Sequence, residues 1–185
     1  MPVNLQGDSY STPDKQLLFF QRLLGELRRS NDIEAVMVSS DQGALQFAVD
    51  DAEYNNNSDY PKATLVVTSE IPEAVGIKLV EGRSFDSRDN ATGLKSAIVS
   101  QSMARTYWPN GSALGKRIRT LKDGKLQPQL IVIGVVSDVR RGENLLTTDK
   151  NTYTAIYVPM AQSIVASARI LAKPRGGDSA ARTAL

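Results

Sequence analysis

Cysteine and histidine are both missing from the 185 residues. Without them the chain can form no disulfide, thiolate nucleophile or Cys/His metal site. Histidine general-base chemistry and Ser-His-Asp triads are excluded as well. A cysteine-free chain is compatible with an oxidising compartment without requiring one. Long apolar runs are also missing. The longest covers residues 130–136, LIVIGVV, a strand-like length far short of the roughly 20 residues that cross a bilayer. No signal-peptide pattern opens the chain, since Met1-Pro2 leads directly into a polar segment. The final AARTAL stops inside a helix-like pattern, so both ends are expected to be cuts in a longer protein. An excess of one charge is absent too: 22 basic and 20 acidic residues leave a net +2. Arg28-Arg29 and Arg140-Arg141 stand as isolated pairs, unlike the stripe of a nucleic-acid binder.

What is present is an ordinary folded composition, 41% hydrophobic and 23% charged. The length suffices for one large domain or two small lobes with a real core. Residues 3–6 read as a short strand. Thr12 can N-cap a helix that has Pro13 at its first position and Asp14 in its first turn. Leu17, Phe20, Leu23, Leu24 and Leu27 then recur at three- and four-residue spacing and make one apolar face. Arg28 and Arg29 suit the negative end of the helix dipole. Residues 33–39 follow as an alternating strand, which completes a β-α-β unit. A second strand is expected at 45–49, and a polar, Asn-rich, mobile loop at 50–61.

Further strands are expected at 63–68, 77–80 and 95–99. Ser69 is expected to cap a short helix ending at Gly76. A long turn, GRSFDSRDNATG, starts at Gly82. Within it Phe85 is expected to enter the core and Arg83 to cap or pair. Ser100 is positioned to cap a helix over 101–107, which Pro109 and Gly111 end. Strands at 117–121 and 129–136 are expected to be joined through the Asp-Gly of KDGK. Strands at 153–158 and 165–172 and a helix opening at Gly177-Asp178-Ser179 complete the chain. The alternation points to an α/β (α+β) domain.

Three motifs invite a chemical reading and do not sustain it. GSALGK, from Gly111 to Lys116, has three residues between its glycines, lacks a Ser or Thr after the Lys, and precedes a strand. A phosphate-cradling loop needs four residues, that hydroxyl, and a following helix. DSRDN, from Asp86 to Asn90, lacks the alternating ligands and closing Glu of a calcium loop. Asn56, Asn90 and Asn110 each open an Asn-X-Ser/Thr triplet, a pattern that chance supplies often. Trp108, the sole tryptophan, reads as an aromatic anchor of the short helix. No constellation of charged residues looks catalytic, and no cofactor or metal is expected.

Five segments occur in order from about residue 10 to residue 162: YSTPDKQLLFFQRLLGEL, VTSEIPEAVGIKLVEGRSF, AIVSQSMARTYWPNGSALGKRI, VIGVVSDVR and YVPMAQ. Together they resemble the MacB-like periplasmic core domain of ABC transporter permeases, in the FtsX/MacB-type superfamily. Asn31-Asp32 and Ile71-Pro72 depart locally from the Pro-Gly and aromatic pairs of many relatives. The resemblance implies a two-lobed extracytoplasmic domain. A porter-like β-α-β lobe would comprise residues 1–60 plus 150–185, with an inserted, Sabre-like mixed α/β lobe at 61–149. It implies a place between the first and second transmembrane helices of a bacterial inner-membrane permease. The implied partners are those helices, a cytoplasmic ATPase subunit or domain, a second permease copy and a periplasmic protein, with no nucleic acid. The domain would transmit conformational change and would not be an enzyme. A small-ligand-binding or sensor domain of a membrane receptor is the alternative. The positions that carry the resemblance are expected to be structural: Gly76, Gly82, Arg83, Phe85, Ser100, Trp108, Pro109, Gly115, Gly134, Asp138 and Arg140. If the Asn-rich stretch is a surface loop, excising residues 50–61 leaves the thermal unfolding midpoint nearly unchanged; a large drop in Tm contradicts that.

Overall fold

Strand β2 (Ile33–Val49) runs for 17 residues and touches three other strands. In the computed structural model, which describes residues 1–50, 52–71, 76–139 and 154–175, its neighbours are laid out along it in sequence. Its first half pairs with β10 (Ser167–Pro174), its middle with β3 (Lys62–Thr68), and its last three residues with β6 (Arg117–Lys122). The sequence predicts two strands here, at 33–39 and 45–49. The structure has one strand with a register shift between those ranges. Gly43 adopts φ 79° and its N–H donates to Asp41 Oδ1 at 2.8 Å. The polar stretch is therefore a bulge within the strand rather than its end.

Helix α1 (Pro13–Arg29) follows β1 (Pro2–Asn4) and packs on β2. The Thr12 hydroxyl accepts the Lys15 N–H at 3.4 Å, and Phe20 and Leu24 are buried. The expected β-α-β unit is present in split form. β10 lies between β1 and β2, antiparallel to both, so β1 and β2 run parallel without touching. One rung crosses the sheet from Pro2 through Arg169, Ser39 and Thr68 to Pro159.

The remaining strands are β4 (Leu79–Gly82), β5 (Ser96–Ser100), β7 (Lys125–Leu126), β8 (Leu130–Val136) and β9 (Ala155–Pro159). Pairing runs β2–β3–β9–β5–β8–β6 and back to β2, a closed ring in which β3–β9 and β5–β8 are parallel. Phe47, Val67, Val99, Ile118, Val132 and Ile156 point to one side of it and join Phe20 and Leu24 in a single core cluster. Short helix α2 (Gln101–Tyr107) adds Met103 and Trp108 to that cluster. A second cluster on the opposite face holds Val66, Ile98, Val136 and Tyr157 under Ile71 and Phe85. The mixed α/β class read from the sequence holds.

Two local expectations change. Ser69 caps no helix: residues 69–71 are not helical. Its hydroxyl instead accepts the Val38 N–H at 3.1 Å, while its own N–H donates to Val38 O at 3.0 Å. A side chain that extends the β2–β3 ladder is unavailable as a cap. The rest of that predicted helix, the start of the 153–158 strand, the helix after Gly177 and Arg140 lie outside the described residues. The Asp-Gly turn is present, with Asp123 at φ 52° and Gly124 at φ 71°, but it joins β6 to the two-residue β7. β8 returns to pair with the other end of β6, Ile118 against Leu130.

The tightest backbone approach is where β4 crosses β8. A Cβ on Gly134 would lie 2.4 Å from Arg83 O, and one on Gly82 would lie 2.3 Å from Ile133 O. Backbone atoms cannot yield as a flexible side chain can. Gly134→Ala is therefore expected to destabilise the chain by about 2 kcal/mol or more in chemical denaturation. Gly25, inside α1 with nothing within 4 Å of a Cβ, is the opposite case. Gly25→Ala is expected to stabilise by roughly 0.5–1 kcal/mol through helix propensity and lost unfolded-state entropy. Equal effects from the two substitutions would contradict this account.

Candidate functional site at the ion-paired turn and its cleft

The turn after β4 is where sequence-selected residues converge. Gly82 lets the chain leave β4 against Gly134 of β8, and Phe85 then drops into the second core cluster at 7% exposure. Between them Arg83 is aimed back across the turn. Its Nη1 and Nη2 donate to Asp89 Oδ2 and Oδ1 at 2.7 and 3.0 Å, and Nη1 also reaches Asp86 Oδ2 at 3.3 Å and Ser84 O at 3.0 Å. Asp89 is only 4% exposed and also accepts the Asp86 N–H at 2.9 Å. Arg88 closes the other side of Asp86 through Nε and Nη2, the shortest contact being 2.6 Å. The DSRDN stretch is thus an ion-paired knot, and among the described residues no group of carboxylates is arranged to hold a metal.

The electrostatics follow from this pairing. Burial pushes the Asp89 carboxyl up, but the bond from Arg83 and the Asp86 N–H outweigh it and hold the group below the usual carboxylate range. The Asp89 bond raises Arg83 further. Asp86 is lowered chiefly by its bonds from the Arg88 side chain and backbone.

This knot forms one wall of a cleft of about 490 Å³. Leu17, Phe20 and Leu24 of α1 line it as well, together with Phe85 and Met160. Arg28 of α1 bonds Glu70 at 2.6 Å beside it. The charged groups along the cleft therefore satisfy one another. The Arg28–Glu70 pair ties α1 to the segment after β3, and among the described residues the cleft offers no unpaired acid and base at reacting distance.

The other sequence-selected residues fall into two groups around α2. At its start the Ser100 hydroxyl accepts the Met103 N–H at 3.4 Å and the Ala155 N–H at 3.0 Å, and Asp138 Oδ1 accepts the Ser102 N–H at 2.9 Å. At its end Trp108, 8% exposed, meets Tyr107 edge-on, and Tyr107 meets Phe47 at 5.2 Å. Pro109 is exposed just beyond, and Gly115, φ 75°, donates its N–H to Val132 O at 2.8 Å. Gly76, φ 88°, stands exposed and apart from these groups. In GSALGK the Leu114 N–H goes to Ser112 Oγ and the Lys116 N–H to Ala113 O. Those amides are used inside the turn and cradle nothing. The Asn-rich loop is also built rather than loose. Tyr54 and Tyr60 stack at 4.4 Å, and the Tyr54 hydroxyl accepts the Val49 N–H at 3.0 Å.

Sequence reasoning missed Asp89, the Arg28–Glu70 pair and Gln162. Gln162 Oε1 accepts the Ser96 N–H, and its Nε2 donates to Asn90 O and Leu94 O. Its only signal is its position closing the YVPMAQ segment.

A sequence profile described as MacB-like periplasmic core domain matches residues 5–184. A comparison with curated protein sequences finds no match. Among solved structures, the periplasmic region of MacB from Actinobacillus actinomycetemcomitans is similar, with TM-score 0.56, 16% identity, 97% of this chain and 76% of that chain covered. The extracellular domain of the noncanonic ABC-type transporter YknZ from Gram-positive bacteria gives 0.54 and 16%, covering 95% and 83%. A domain of a putative permease protein from Porphyromonas gingivalis gives 0.52 and 14%, covering 84% and 68%. At these identities the structural likeness shows the fold.

Asp89 carries a test of the knot. Its folded-state pKa is depressed, so its contribution is fully present above the unfolded value near ~4 and is lost as pH falls through the folded value. Asp89→Asn is expected to destabilise by about 3 kcal/mol at pH 7, because Arg83 loses its main partner, and to flatten the loss of stability below pH ~4. An unchanged acid limb in urea titrations would refute the assignment.

Proposed function

The chain belongs to the family of MacB-like periplasmic core domains, and on that premise we propose that it is the extracytoplasmic domain of an ABC transporter permease in a bacterial inner membrane. It sits between the first and second transmembrane helices and couples ATP hydrolysis by a cytoplasmic subunit or domain to work or partner contacts outside the membrane. It performs no chemistry itself. Its partners are its own transmembrane helices, the ATPase, a second permease copy and a periplasmic protein. Residues 1–60 with 150–185 act as the porter-like unit and residues 61–149 as the inserted unit, with β2 as the spine they share.

One observation carries this reading. β1 is antiparallel to β10 and adjacent to it, so the chain enters β1 and leaves β10 at the same end of the sheet. There Arg175 clamps the exit: its N–H donates to Asp32 O at 2.7 Å and its Nε to Asn31 O at 3.1 Å. Both strands can run into one membrane, and a pull on either is passed to the α1–β2 junction. The paired charges of the cleft fit a joint better than a catalytic centre.

The cleft beside Asp86 supports a second reading, a small-ligand-binding or sensor domain, because its volume is in the range that small molecules fill. Filling it by Leu17→Trp would abolish a ligand-induced rise in Tm on that reading and leave coupled transport intact on the first. The chain's lack of cysteine gives a direct test of placement. A single cysteine at exposed Gln42, in the full permease cleared of other cysteines, is expected to react with a membrane-impermeant maleimide applied outside the inner membrane. Labelling only after that membrane is breached would contradict the proposal.

A further inference from the structure

Three asparagines open the same kind of triplet in the sequence, Asn56, Asn90 and Asn110, and the structure separates them. All three are exposed. Two are tied into their own turns. Asn56 Oδ1 accepts the Ser58 N–H at 2.9 Å and the Ser58 hydroxyl. Asn90 Oδ1 accepts the Thr92 and Gly93 N–H groups at 3.1 and 3.0 Å and the Thr92 hydroxyl at 2.9 Å. Its Nδ2 donates to Ser87 O at 3.0 Å. The Asn110 carboxamide, with the same donors and acceptor to offer, makes no hydrogen bond among the described residues.

Asn110 is also the one asparagine in the chain that precedes a glycine. Asn56 and Asn90 are followed by Asn57 and Ala91, whose β-carbons crowd the peptide nitrogen between the two residues. Gly111 has no β-carbon, and one built there would meet nothing within 4 Å. Its nitrogen is therefore open to approach, and glycine adds backbone freedom that a ring closure needs. A single long bond holds that N–H, to Trp108 O at 3.3 Å. The residues on either side are anchored. Trp108 is 8% exposed in the core, and the Ser112 hydroxyl bonds Glu81 and accepts the Leu114 N–H at 3.0 Å. An untied side chain and an accessible nitrogen thus meet on a short open segment between two fixed points.

We propose that Asn110-Gly111 is a site of self-catalysed covalent modification, at which Asn110 is converted to aspartate and isoaspartate. The Gly111 nitrogen attacks Asn110 Cγ, so a new C–N bond forms and the Cγ–Nδ2 bond breaks. The proton lost by the Gly111 nitrogen leaves with Nδ2 as ammonia. Water then opens the cyclic imide at one of its two carbonyls. Opening at one gives aspartate, and opening at the other gives isoaspartate, whose main chain runs through Cβ. The balance is amide plus water to carboxylate plus ammonium, with nothing oxidised or reduced. Thermal lability of asparagine is the general case; the structure selects which asparagine shows it. Either product puts a negative charge on the turn after α2. Isoaspartate also lengthens the main chain by one atom between Trp108 and Gly111, where the long bond between them is the contact most exposed to the change.

The test incubates the whole folded chain at mildly alkaline pH, cuts it with trypsin, and reads the peptides by mass spectrometry with fragmentation that separates aspartate from isoaspartate. Residues 106–116, 89–95 and 30–62 carry Asn110, Asn90 and Asn56 on separate peptides, so two internal controls travel with the site. Conversion is expected in peptide 106–116, with both acids formed, while Asn90 and Asn56 keep their amides. The rate is expected to rise with pH, because the attacking nitrogen must shed its proton. Gly111→Ala is expected to lose most of the isoaspartyl signal and to keep the wild-type Tm, since its Cβ has open space; a failure to fold then cannot account for the loss. An intact Asn110, equal conversion at the two control asparagines, aspartate without isoaspartate, or undiminished conversion in Gly111→Ala would each overturn the proposal. The reading depends on no membrane placement, so its outcome is separate from that of the maleimide test.

Discussion

Every other element takes its position from β2. Seventeen residues of strand serve β10, β3 and β6 in turn, and a strand can offer only two edges. Placing three neighbours on two edges requires one edge to be divided: β10 holds its first half and β6 its last three residues. The bulge at Gly43 falls between those two partners. Local twist increases at a bulge, which lets β2 leave the plane shared with β10 and enter the ring. Beyond that bend Phe47 and Val49 share the core cluster with Ile118 and Val132. The same continuity explains how helix α1 and helix α2, over 70 residues apart in sequence, contribute to one buried cluster.

A second constraint is imposed by close packing at the β4–β8 crossing. The two glycines there bring backbone against backbone, and that approach fixes where Arg83 and Phe85 begin. From this point one side chain goes into apolar contact and the other into the ion-paired knot. Buried charge is tolerated at Asp89 because both carboxylate oxygens are bonded. The knot gives the turn a fixed shape in a stretch that has no regular secondary structure. That shape sets one wall of the cleft facing α1.

Local chemistry was the legible part of the sequence. The Thr12 and Ser100 caps, the amphipathic face of α1 and the Asp-Gly turn are decided by residues within a few positions of one another, and each is found. What escaped depended on distant partners. Ser69 has the residue type of a cap, but Val38, 31 positions away, claims its hydroxyl. Asp41-Gln42-Gly43 has the composition of a break, and only pairing with β3 on both sides turns it into a bulge. The insertion of β10 between β1 and β2 has no local signature. At the cleft, Phe85 was legible from hydrophobicity and Arg83 from its setting, whereas Asp89 looked like any acidic turn residue until Arg83 reached it. The family resemblance carried the rest, through five segments whose order is informative although each alone is weak.

The split β-α-β arrangement also bears on how the chain is made. β1, α1 and β2 lie within the first 49 residues, yet the strand that separates β1 from β2 is residues 167–174. A chain emerging from its N-terminus completes α1 and both flanking strands long before the piece that belongs between them exists. Until then β2 carries an unpaired edge along residues 33–39 and β1 has no neighbour at all. The parallel pairings β3–β9 and β5–β8 are likewise long-range, and such contacts form slowly because the intervening chain must first be closed. The β1–β10–β2 part of the sheet is therefore completed only by the last strand among the described residues. Until β10 arrives, the open edge of β2 along residues 33–39 is what this sequence must keep from pairing with another strand.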